Sequence, residues 1–365
     1  MAEFLIASNT SAVFVKTQSA LGSFDNPTAS ATNAIRVVGT PKFAPRGAGI
    51  IQRTDIYTPF GGGQAAVTGG IGWDITFQTE LFWRFDEAQG TAAQYITTDT
   101  SQLSALWLAS PWTITTPSTD TLLTVQPYFN ADTGRDTTAS PAQKAYAAQP
   151  FSIVYEEANG KRYEAFDCVC VPKFSWESGG KVMIDWTVKG KWRDVSSSTN
   201  TLPIYPEQYT PTAKPQPPLI GQACTMALTG FFGSDTNALS KVTVDTGWAI
   251  SDVADSRQSK GFGLGFIALT TYPTIAVEVA NFAETVEPDW TTAQANTVST
   301  NDLTLTIAVG SGNTIVFTLA EPQLIEWPAP GDANGYRNIG LKFGGIPYNA
   351  ATSPQTTVLS ILFNS

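Results

Sequence analysis

The stretch WDITFQTELFW, residues 73–83, decides the fold class. Its odd-numbered residues are apolar except for one threonine: Trp73, Ile75, Phe77, Thr79, Leu81 and Trp83. Its even-numbered residues are polar up to position 80: Asp74, Thr76, Gln78 and Glu80. Alternation with a period of two is typical of a β-strand that has one face on a core and the other in water. The stretch therefore predicts a long amphipathic strand.

A second stretch repeats this pattern near the middle of the chain. KVMIDWTVKGKW, residues 181–192, places five apolar residues on one face: Val182, Ile184, Trp186, Val188 and Trp192. The other face carries Asp185, Thr187, Lys189 and Lys191. Shorter alternating stretches follow at 241–245, 274–282, 303–310 and 356–363. Together they predict a mostly β protein.

One helix interrupts the β pattern in SQLSALWLAS, residues 101–110. Its apolar residues have helical spacing: Leu103, Leu106 and Trp107. Thr100 or Ser101 is the predicted N-cap, and Pro111 is expected to end the helix. We expect this helix to cover one side of a sheet. A second helical turn is predicted at 288–296.

The composition narrows the range of functions that the protein can have. The 365 residues carry a formal charge of −10, and only 14% of them are charged. Because affinity for nucleic acid comes mainly from cationic contacts to phosphate, this balance argues against a protein that holds DNA, though not against one that lets DNA pass. The absence of histidine removes the Ser-His-Asp triad and the commonest metal ligand. We predict no catalytic residue, no cofactor and no metal.

The three cysteines, Cys168, Cys170 and Cys224, are predicted to be buried structural thiols, since three thiols do not make a disulfide framework. No basic region precedes the short apolar patch at the N-terminus, so no signal peptide is predicted. No apolar run approaches the ~20 residues that span a bilayer. The sequence therefore predicts synthesis in a reducing cytosol and no membrane insertion.

The chain divides around a segment rich in Pro, Ser and Thr. This segment, residues 196–218, has almost no hydrophobic periodicity and is predicted to be an extended linker. The predicted domains on either side are residues 1–195 and 219–365.

The two halves share the pattern Ala-Asn-Gly-X-Arg, beginning at Ala158 and at Ala333. Asn-Gly is a strong hairpin signal, because a type I′ turn needs positive φ twice. The predicted turns are Asn159-Gly160 and Asn334-Gly335. A β run precedes each pattern and an apolar strand follows it, at an offset of 333 − 158 = 175 residues. This context favours a duplicated domain in which the two turns are equivalent corners.

A glycine-rich loop precedes the first long strand. TPFGGGQAAVTGGIG, residues 58–72, contains no lysine and leads into a strand, so it lacks the features of a phosphate-binding loop. We expect a long hairpin loop that becomes ordered against a neighbouring subunit. The candidate residues for that contact are Phe60, Gly61, Gly62, Gly63, Gly69 and Gly70.

Two other groups of charged residues are predicted to be surface features. Asp74 and Glu80 lie six residues apart on one strand face, about 20 Å, which is too far for a shared reaction centre. The basic stretch KGKWR, residues 189–193, is expected to form a rim or to pair with the acids of a neighbouring subunit.

The order of these elements resembles that of the major tail tube proteins of long-tailed bacteriophages. The resemblance rests on residues 33–81, on LSALWLASPW at 103–112, and on a closing unit that runs from FSIVYEEANGKRYEAF to SGGKVMIDWTVKGKW at 151–192. The second half, from PPLIGQACTMALTGFF at 217–232, resembles the second domain of the longer members. No catalytic motif contributes to the resemblance.

The resemblance implies a structural role without enzymatic activity. It implies two tandem β-sandwich domains, each flanked by a short helix, whose sheets join between subunits into a closed barrel around a lumen. Two domains per chain imply trimeric rings with pseudo-sixfold symmetry that stack into a non-contractile tube in the virion. The implied partners are further copies of the chain, the tape measure, tail terminator and distal tail proteins, and passing double-stranded DNA.

The polar strand faces are expected to line that lumen and to make it weakly acidic, so that DNA slides through. The candidates are Asp74, Glu80, Asp185 and Glu278; a solvent-facing position on an outer sheet is the alternative. A competing prediction is a monomeric two-domain carbohydrate-binding or adhesin-like module, in which tryptophans form exposed stacking platforms. A hydrolase is disfavoured because no nucleophile motif is present.

Overall fold

A computed structural model describes the following residues: 11–30, 32–47, 50–51, 67–68, 71–81, 103–110, 112–115, 121–125, 149–157, 159–197, 200, 202, 204, 224–228, 239–251, 266–269, 271–280, 299, 301–310, 313–326, 329–333, 336–345 and 358–364. Most of these residues are in β-strands, and every described strand pair is antiparallel. The predicted β class is therefore confirmed.

The described part of the first half contains eleven strands and one helix. The strands are β1 (Ala12–Thr17), β2 (Ala34–Ile35), β3 (Val38–Gly47), β4 (Ile50–Ile51), β5 (Val67–Thr68), β6 (Ile71–Glu80), β7 (Thr113–Thr115), β8 (Thr121–Val125), β9 (Phe151–Glu156), β10 (Lys161–Glu177) and β11 (Met183–Ser197). The helix, α1, is Ser104–Leu108.

The second half contains a further eleven described strands. They are β12 (Cys224–Ala227), β13 (Leu239–Asp245), β14 (Trp248–Ser251), β15 (Phe266–Leu269), β16 (Thr274–Ala280), β17 (Leu303–Gly310), β18 (Asn313–Leu319), β19 (Pro322–Leu324), β20 (Ala329–Ala333), β21 (Tyr336–Gly345) and β22 (Leu359–Asn364). The helical turn predicted at 288–296 lies outside the described residues.

Two sheets organise these strands, and each contains strands from both halves. The main path of the long sheet runs β19-β21-β16-β13-β10-β11-β6-β3. Strand β20 pairs with β21, and β9 joins β1 to β10. The short sheet runs β12-β17-β18-β22-β8-β7. The halves therefore meet twice, as β10·β13 in the long sheet and as β8·β22 in the short sheet. Neither described sheet closes on itself.

One hydrophobic core extends through both halves. Trp73, Ile75, Phe77 and Leu81 of the opening stretch are buried, as the alternation predicts; Trp83 lies outside the described residues. Thr79 is buried with them because its hydroxyl accepts a hydrogen bond from Trp186 Nε1 at 2.9 Å. Across the halves, the ring of Phe317 packs edge-on against Phe174, with 5.3 Å between centroids.

The helix is shorter than predicted but lies on the core side of the long sheet. Trp107 of α1 is fully buried and packs edge-on against Trp186, with 5.2 Å between ring centroids. The N-cap residue is Leu103, which makes no side-chain capping bond, so the predicted cap at Thr100 or Ser101 is wrong. Backbone bonds to the Leu103 carbonyl close the first turn, and burial of the apolar side chains supplies the stabilisation.

The thiols are mostly where the sequence predicts them. Cys168 and Cys170 are buried, Cys224 is half-buried, and all three are free. Burial raises the pKa of Cys168 and Cys170, and it raises that of Cys224 to about 11. Because the thiolate is the reactive form, these thiols are protected from oxidation at neutral pH.

Strand β10 bends at Asp167, which has a φ of +49°. Its carboxylate is buried and accepts hydrogen bonds from Gln18 Nε2 at 3.0 Å and from the Gly22 amide at 2.8 Å. Lys191 Nζ lies 2.7 Å from the other carboxylate oxygen. Left-handed backbone costs a non-glycine residue about 1–2 kcal/mol, and this hydrogen-bonded network offsets that cost. Lys191, predicted to face water, is buried here instead.

The two halves pair their strands in the same order. In the first half the pairs are β1·β9, β9·β10, β10·β11, β11·β6 and β6·β3. In the second half they are β12·β17, β17·β18, β18·β22 with β20·β21, β21·β16 and β16·β13. Strand β10 thus corresponds to β18, β19 and β20 in succession, and β11 corresponds to β21 followed by β22.

The bend of β10 also has a counterpart. Glu321 stands between β18 and β19 with a φ of +40°, and it lies 321 − 167 = 154 residues after Asp167. These two are the non-glycine residues with positive φ in the described part of the chain. In both, the backbone amide donates to a side chain, to Gln18 Oε1 for Asp167 and to Asp302 Oδ1 for Glu321.

The two Ala-Asn-Gly stretches occupy different corners of this pattern. Asn159 and Gly160 connect β9 to β10, whereas Asn334 and Gly335 follow β20 and precede β21. In the shared pairing order, the β9·β10 hairpin corresponds to β17·β18, so the predicted equivalence of the two turns is wrong. The dipeptide Asn-Gly indicates a tight turn, and such turns occur in many hairpins whatever their position in the fold.

The first turn also differs from the predicted type I′ geometry. The Gly160 amide donates to the Glu157 carbonyl at 2.9 Å, and positive φ occurs at Gly160 but not at Asn159. A single left-handed glycine at the end of the turn is typical of a three-residue hairpin loop and not of a two-residue type I′ turn. Asn334 and Gly335 themselves lie outside the described residues.

The predicted linker begins as ordered chain. Strand β11 continues to Ser197, and Leu202 and Ile204 pack against a small cluster formed by Phe14, Ala34 and Val154. Both domain boundaries remain predictions, because the two sheets and the core continue from one half into the other.

The Asp167 network gives a stability prediction. Asp167→Ala leaves Lys191 buried without its carboxylate, so the free energy of unfolding should fall by about 3–5 kcal/mol. The double variant Asp167→Ala, Lys191→Met removes the stranded charge and should recover at least about 2 kcal/mol of that loss. Urea unfolding followed by tryptophan fluorescence measures both. A double variant no more stable than the single one would show that the charge pair does not hold the bend.

Candidate functional site: the polar face and the edges of the long sheet

The face of the long sheet opposite the core carries rows of charge that cross both halves. Side chains directly opposite one another in paired strands lie on the same face. One row runs Asp245, Lys173, Asp185 and Gln78 on β13, β10, β11 and β6. A second runs Glu278, Lys241 and Glu177 on β16, β13 and β10. In each row the sign of the charge alternates.

The first row crosses the junction between the halves. Lys173 Nζ lies 3.1 Å from Asp245 Oδ2, and both side chains are at least 40% exposed. Gln78 Nε2 donates to Asp185 Oδ1 at 2.5 Å. Because the Lys173–Asp245 pair is exposed to solvent, it contributes at most about 1 kcal/mol. Its main effect is on register, since a shift by one residue would move the whole row to the core face.

Asp74 is held at the other end of the face by Arg46. Arg46 Nε lies 3.2 Å from Asp74 Oδ1, and the guanidinium also donates to the carbonyls of Trp73 and Gly190. The side chain of Arg46 crosses the sheet over Gly72, where a Cβ atom would lie 2.8 Å from Arg46 Nε. Burial lowers the pKa of Arg46, and the charge of Asp74 opposes that shift.

Glu80 differs from the other three candidates for a lumen lining. Its side chain is 2% exposed, and it is paired with Lys181 and with Arg36 Nη1 at 3.4 Å. The predicted exposure of Glu80 is therefore wrong, because flanking cations cover the end of β6. Asp74, Asp185 and Glu278 are partly exposed on the polar face.

The polar face is electrically balanced. Its acidic strand residues are Asp74, Glu80, Glu177, Asp185, Asp245 and Glu278. Its basic strand residues are Lys42, Arg46, Lys173, Lys189, Lys241 and Lys342. These residues sum to 6 − 6 = 0, and the ion pairs Lys191–Asp167 and Arg193–Glu164, where β10 and β11 continue, add one charge of each sign per pair, although the chain carries −10. The expected excess of acid is thus not found on the described strands of this face, and the negative charge lies elsewhere.

Sequence reasoning missed half of this pattern. It selected acids and did not consider Lys173, Lys241 and Asp245, which complete the rows. The signal was present, since KVTVD at 241–245 and PKFSWE at 172–177 both alternate charged or polar with apolar residues. Which charges lie side by side depends on the β10·β13 pairing, which joins residues about 70 positions apart.

The basic stretch KGKWR pairs within its own chain. Lys189 lies opposite Asp74, Lys191 contacts Asp167, and Arg193 Nε lies 2.6 Å from Glu164 Oε2. Pairing with the acids of a neighbouring subunit is therefore not needed to explain these three basic residues.

Each end of the long sheet is an edge that carries prolines. At one end β3 contains Pro41 and Pro45, and its described partner is β6. At the other end Pro330 of β20 lies opposite Ile339 of β21. Proline lacks a backbone donor and is tolerated in an edge strand with that side turned outward. Both edges can thus accept hydrogen bonds along their length, but they donate fewer hydrogen bonds than a strand without proline would.

The glycine-rich loop extends from the β3–β6 hairpin. Its base is described as β4 paired with β5, with Ile50 opposite Thr68 and Ile51 opposite Val67. The residues predicted to contact an adjacent ring, Phe60 to Gly63 with Gly69 and Gly70, lie outside the described residues.

The described tryptophans do not offer stacking platforms. Six are buried: Trp73, Trp107, Trp112, Trp176, Trp186 and Trp248. The seventh, Trp192, is partly buried and stacks on Trp73 with 4.1 Å between ring centroids. Over the same residues, no cluster of acids and cysteines suited to a metal ion is found.

No protein-family model matches the chain, and no curated protein matches it. Among the described residues, no helix is long and apolar enough to cross a membrane.

The row of charge at the junction can be tested by reversal. Lys173→Glu places three acids side by side and should lower the free energy of unfolding by about 1 kcal/mol at low ionic strength. The loss should shrink in about 1 M salt, where the Debye length is about 3 Å. Adding Asp245→Lys restores the alternation on one side and should recover part of the loss. An equal loss in low and high salt would show that charge is not the cause.

Proposed function

We propose that this chain is the structural subunit of a phage tail tube. The observation that carries the proposal is the β10·β13 pairing, in which the edge of one half extends the sheet of the other. A chain that joins two equivalent units edge to edge has already formed one contact of a ring. The remaining edges are the complementary pair needed for the next contact.

The shared pairing order supports two tandem copies of one sandwich domain. Five strand pairs recur in the same chain order. The bend at Asp167 lies where β10 changes its partner from β9 to β13, and Glu321 lies where the chain leaves β18 of the short sheet for β19 of the long sheet. In each copy, one edge strand is the equivalent of β10 and the other is the equivalent of β13, the two strands that form the junction. Strand β10 of the first half meets β13 of the second, so by equivalence β20 meets β3 of the next chain.

Repetition of this contact closes a ring. The long-sheet path contributes eight strands per chain, so three chains give 3 × 8 = 24 strands. At ~4.8 Å per strand the circumference is at least about 115 Å, and strand tilt gives a backbone diameter of roughly 37–50 Å. Such a barrel leaves room for a DNA duplex, and closure removes the exposed edges.

The balanced polar face suits a conduit. A lysine- or arginine-rich lining would bind phosphate at every ring, and its affinity would oppose movement. Here each described lysine at the junction has acidic neighbours, so the face offers DNA little net attraction. We propose that this face lines the lumen and that the tape measure, tail terminator and distal tail proteins are partners within the virion.

The competing function is a carbohydrate-binding or adhesin-like module. It would require exposed aromatic platforms, whereas the described tryptophans are buried or stacked within the fold. The tail tube subunit is therefore the better-supported proposal.

Electron microscopy tests the proposal directly. The purified protein, concentrated in negative stain, should form rings or hollow tubes with a lumen of a few nanometres. Asp332→Pro places a further proline in the β20 edge strand, two residues after Pro330 and so on the same side of the strand, and it should reduce assembly. Isolated globules at every concentration, together with binding to a glycan, would favour the competing module instead.

The lumen lining can be tested by charge reversal in assembled tubes. The triple variant Asp74→Lys, Asp185→Lys, Glu278→Lys adds six positive charges per chain, since each change moves the charge by two. These tubes should retain double-stranded DNA at low salt and release it as salt rises, and DNA ejection should slow.

The matched control neutralises the same positions as Asp74→Asn, Asp185→Asn and Glu278→Gln. It removes the acids without creating a basic surface, so it should retain far less DNA than the lysine variant. If intact lysine-variant tubes retain no more DNA than the wild type, this face does not line the lumen.

A further inference from the structure

The junction between the halves has a second part, formed in the short sheet. Strand β8 of the first half pairs with β22 of the second, with Leu359 opposite Val125 and Phe363 opposite Thr121. The other side of β22 pairs with β18. The first half therefore extends both sheets of the second half, with β10 in the long sheet and with the β7·β8 hairpin in the short sheet.

The counterpart of β22 in the first half is the last part of β11. Lys161 pairs with Ser197 and Glu164 with Arg193, as β18 pairs with β22. Strand β6, on the other side of β11, ends its pairing at Lys191. Among the described strands, none pairs with the second side of residues 193–197. We call this segment the outer edge.

The outer edge is only partly protected. Residues 194–195 form a β-bulge, since the register shifts between the pairs Glu164–Arg193 and Arg162–Ser196. Val195 at this bulge is 46% exposed, which makes it one of four large exposed apolar residues in the described chain. Arg193 does not shield it, because its guanidinium is 4.0 Å from the Phe24 ring centroid and its Nε contacts Glu164. A bulge twists an edge without covering it, so the apolar surface of Val195 is left for a neighbouring strand to cover.

We infer that the outer edge accepts a β-strand from a second copy of this chain. In the second half, the equivalent edge is occupied by a hairpin of the half that precedes it. The second half of this chain already receives its strands from the first half through β10 and β8, so in the proposed ring the equivalent strand for this edge comes from the second half of another copy. Each contact between subunits then has two seams, β20·β3 and a strand added to Arg193–Ser197 at the end of β11.

This inference rests on the proposed ring assembly, and it adds a second, outer seam to it. The two seams have the same polarity, since within the chain the first half supplies both strands to the second half. A double seam fixes the angle between neighbours better than a single line of hydrogen bonds, which can twist about its own axis.

Hydrogen exchange of the full chain tests the outer seam. In unassembled protein the outward amides of Arg193–Ser197 should exchange quickly, and in isolated rings or tubes they should slow by about tenfold or more. Val195→Lys should weaken assembly by about tenfold, because a charged side chain on an edge strand opposes the addition of another strand. Leu21→Lys is the matched control, since Leu21 is 48% exposed and lies in a turn, and it should assemble as the wild type does.

The outcomes separate the two proposals. Rings in which Arg193–Ser197 exchange as fast as in the subunit, or undiminished assembly of folded Val195→Lys, would overturn the outer seam and leave the ring proposal standing. A protein that never assembles would overturn both.

Discussion

An antiparallel strand has two hydrogen-bonding sides, and β10 uses both. One side pairs with β11 and completes the sheet of the first half, and the other pairs with β13 and begins the sheet of the second. The rows of charge, the shared core and the position of the free edges all follow from this contact. Because Lys173 lies between Asp185 and Asp245, the row that crosses the junction also records its register. A pairing shifted by one residue would place charges in the core, so the junction has a single favourable alignment.

The bends at Asp167 and Glu321 allow one stretch of chain to pair with two successive sets of neighbours. A straight strand would continue in one plane, whereas a left-handed residue turns the chain and lets the following segment pair with a different neighbour. In the first half a buried lysine, glutamine and backbone amide stabilise the bend. In the second half the corresponding strand is divided into β18, β19 and β20. The same pairing order is therefore reached with a continuous strand in the first half and an interrupted strand in the second half.

Alternation in the sequence was enough to predict the β class, the core residues of β6 and β11, and the buried pair Cys168 and Cys170. These properties depend on neighbours in sequence. The burial of Glu80, the balance of charge on the polar face and the true correspondence between the halves depend on pairings over long separations, which periodicity does not encode. The Ala-Asn-Gly pattern illustrates the limit, because a turn motif selects a hairpin without indicating which hairpin. The conserved pairing order, by contrast, matches five strand pairs at once and cannot arise from turn chemistry.

A subunit that polymerises through strand edges must avoid pairing at random before it assembles. In the proposed assembly the prolines of β3 and β20 would limit such pairing at the long-sheet edges, since proline offers no backbone donor to an incoming strand. A single encounter between two such edges then forms an incomplete ladder and is weak. A neighbour that also supplied a strand to Arg193–Ser197 would form two ladders together, and the combined contact would be much stronger than either part. Weak individual edges joined in pairs favour correctly oriented neighbours over the many single-edge contacts that lead to aggregation.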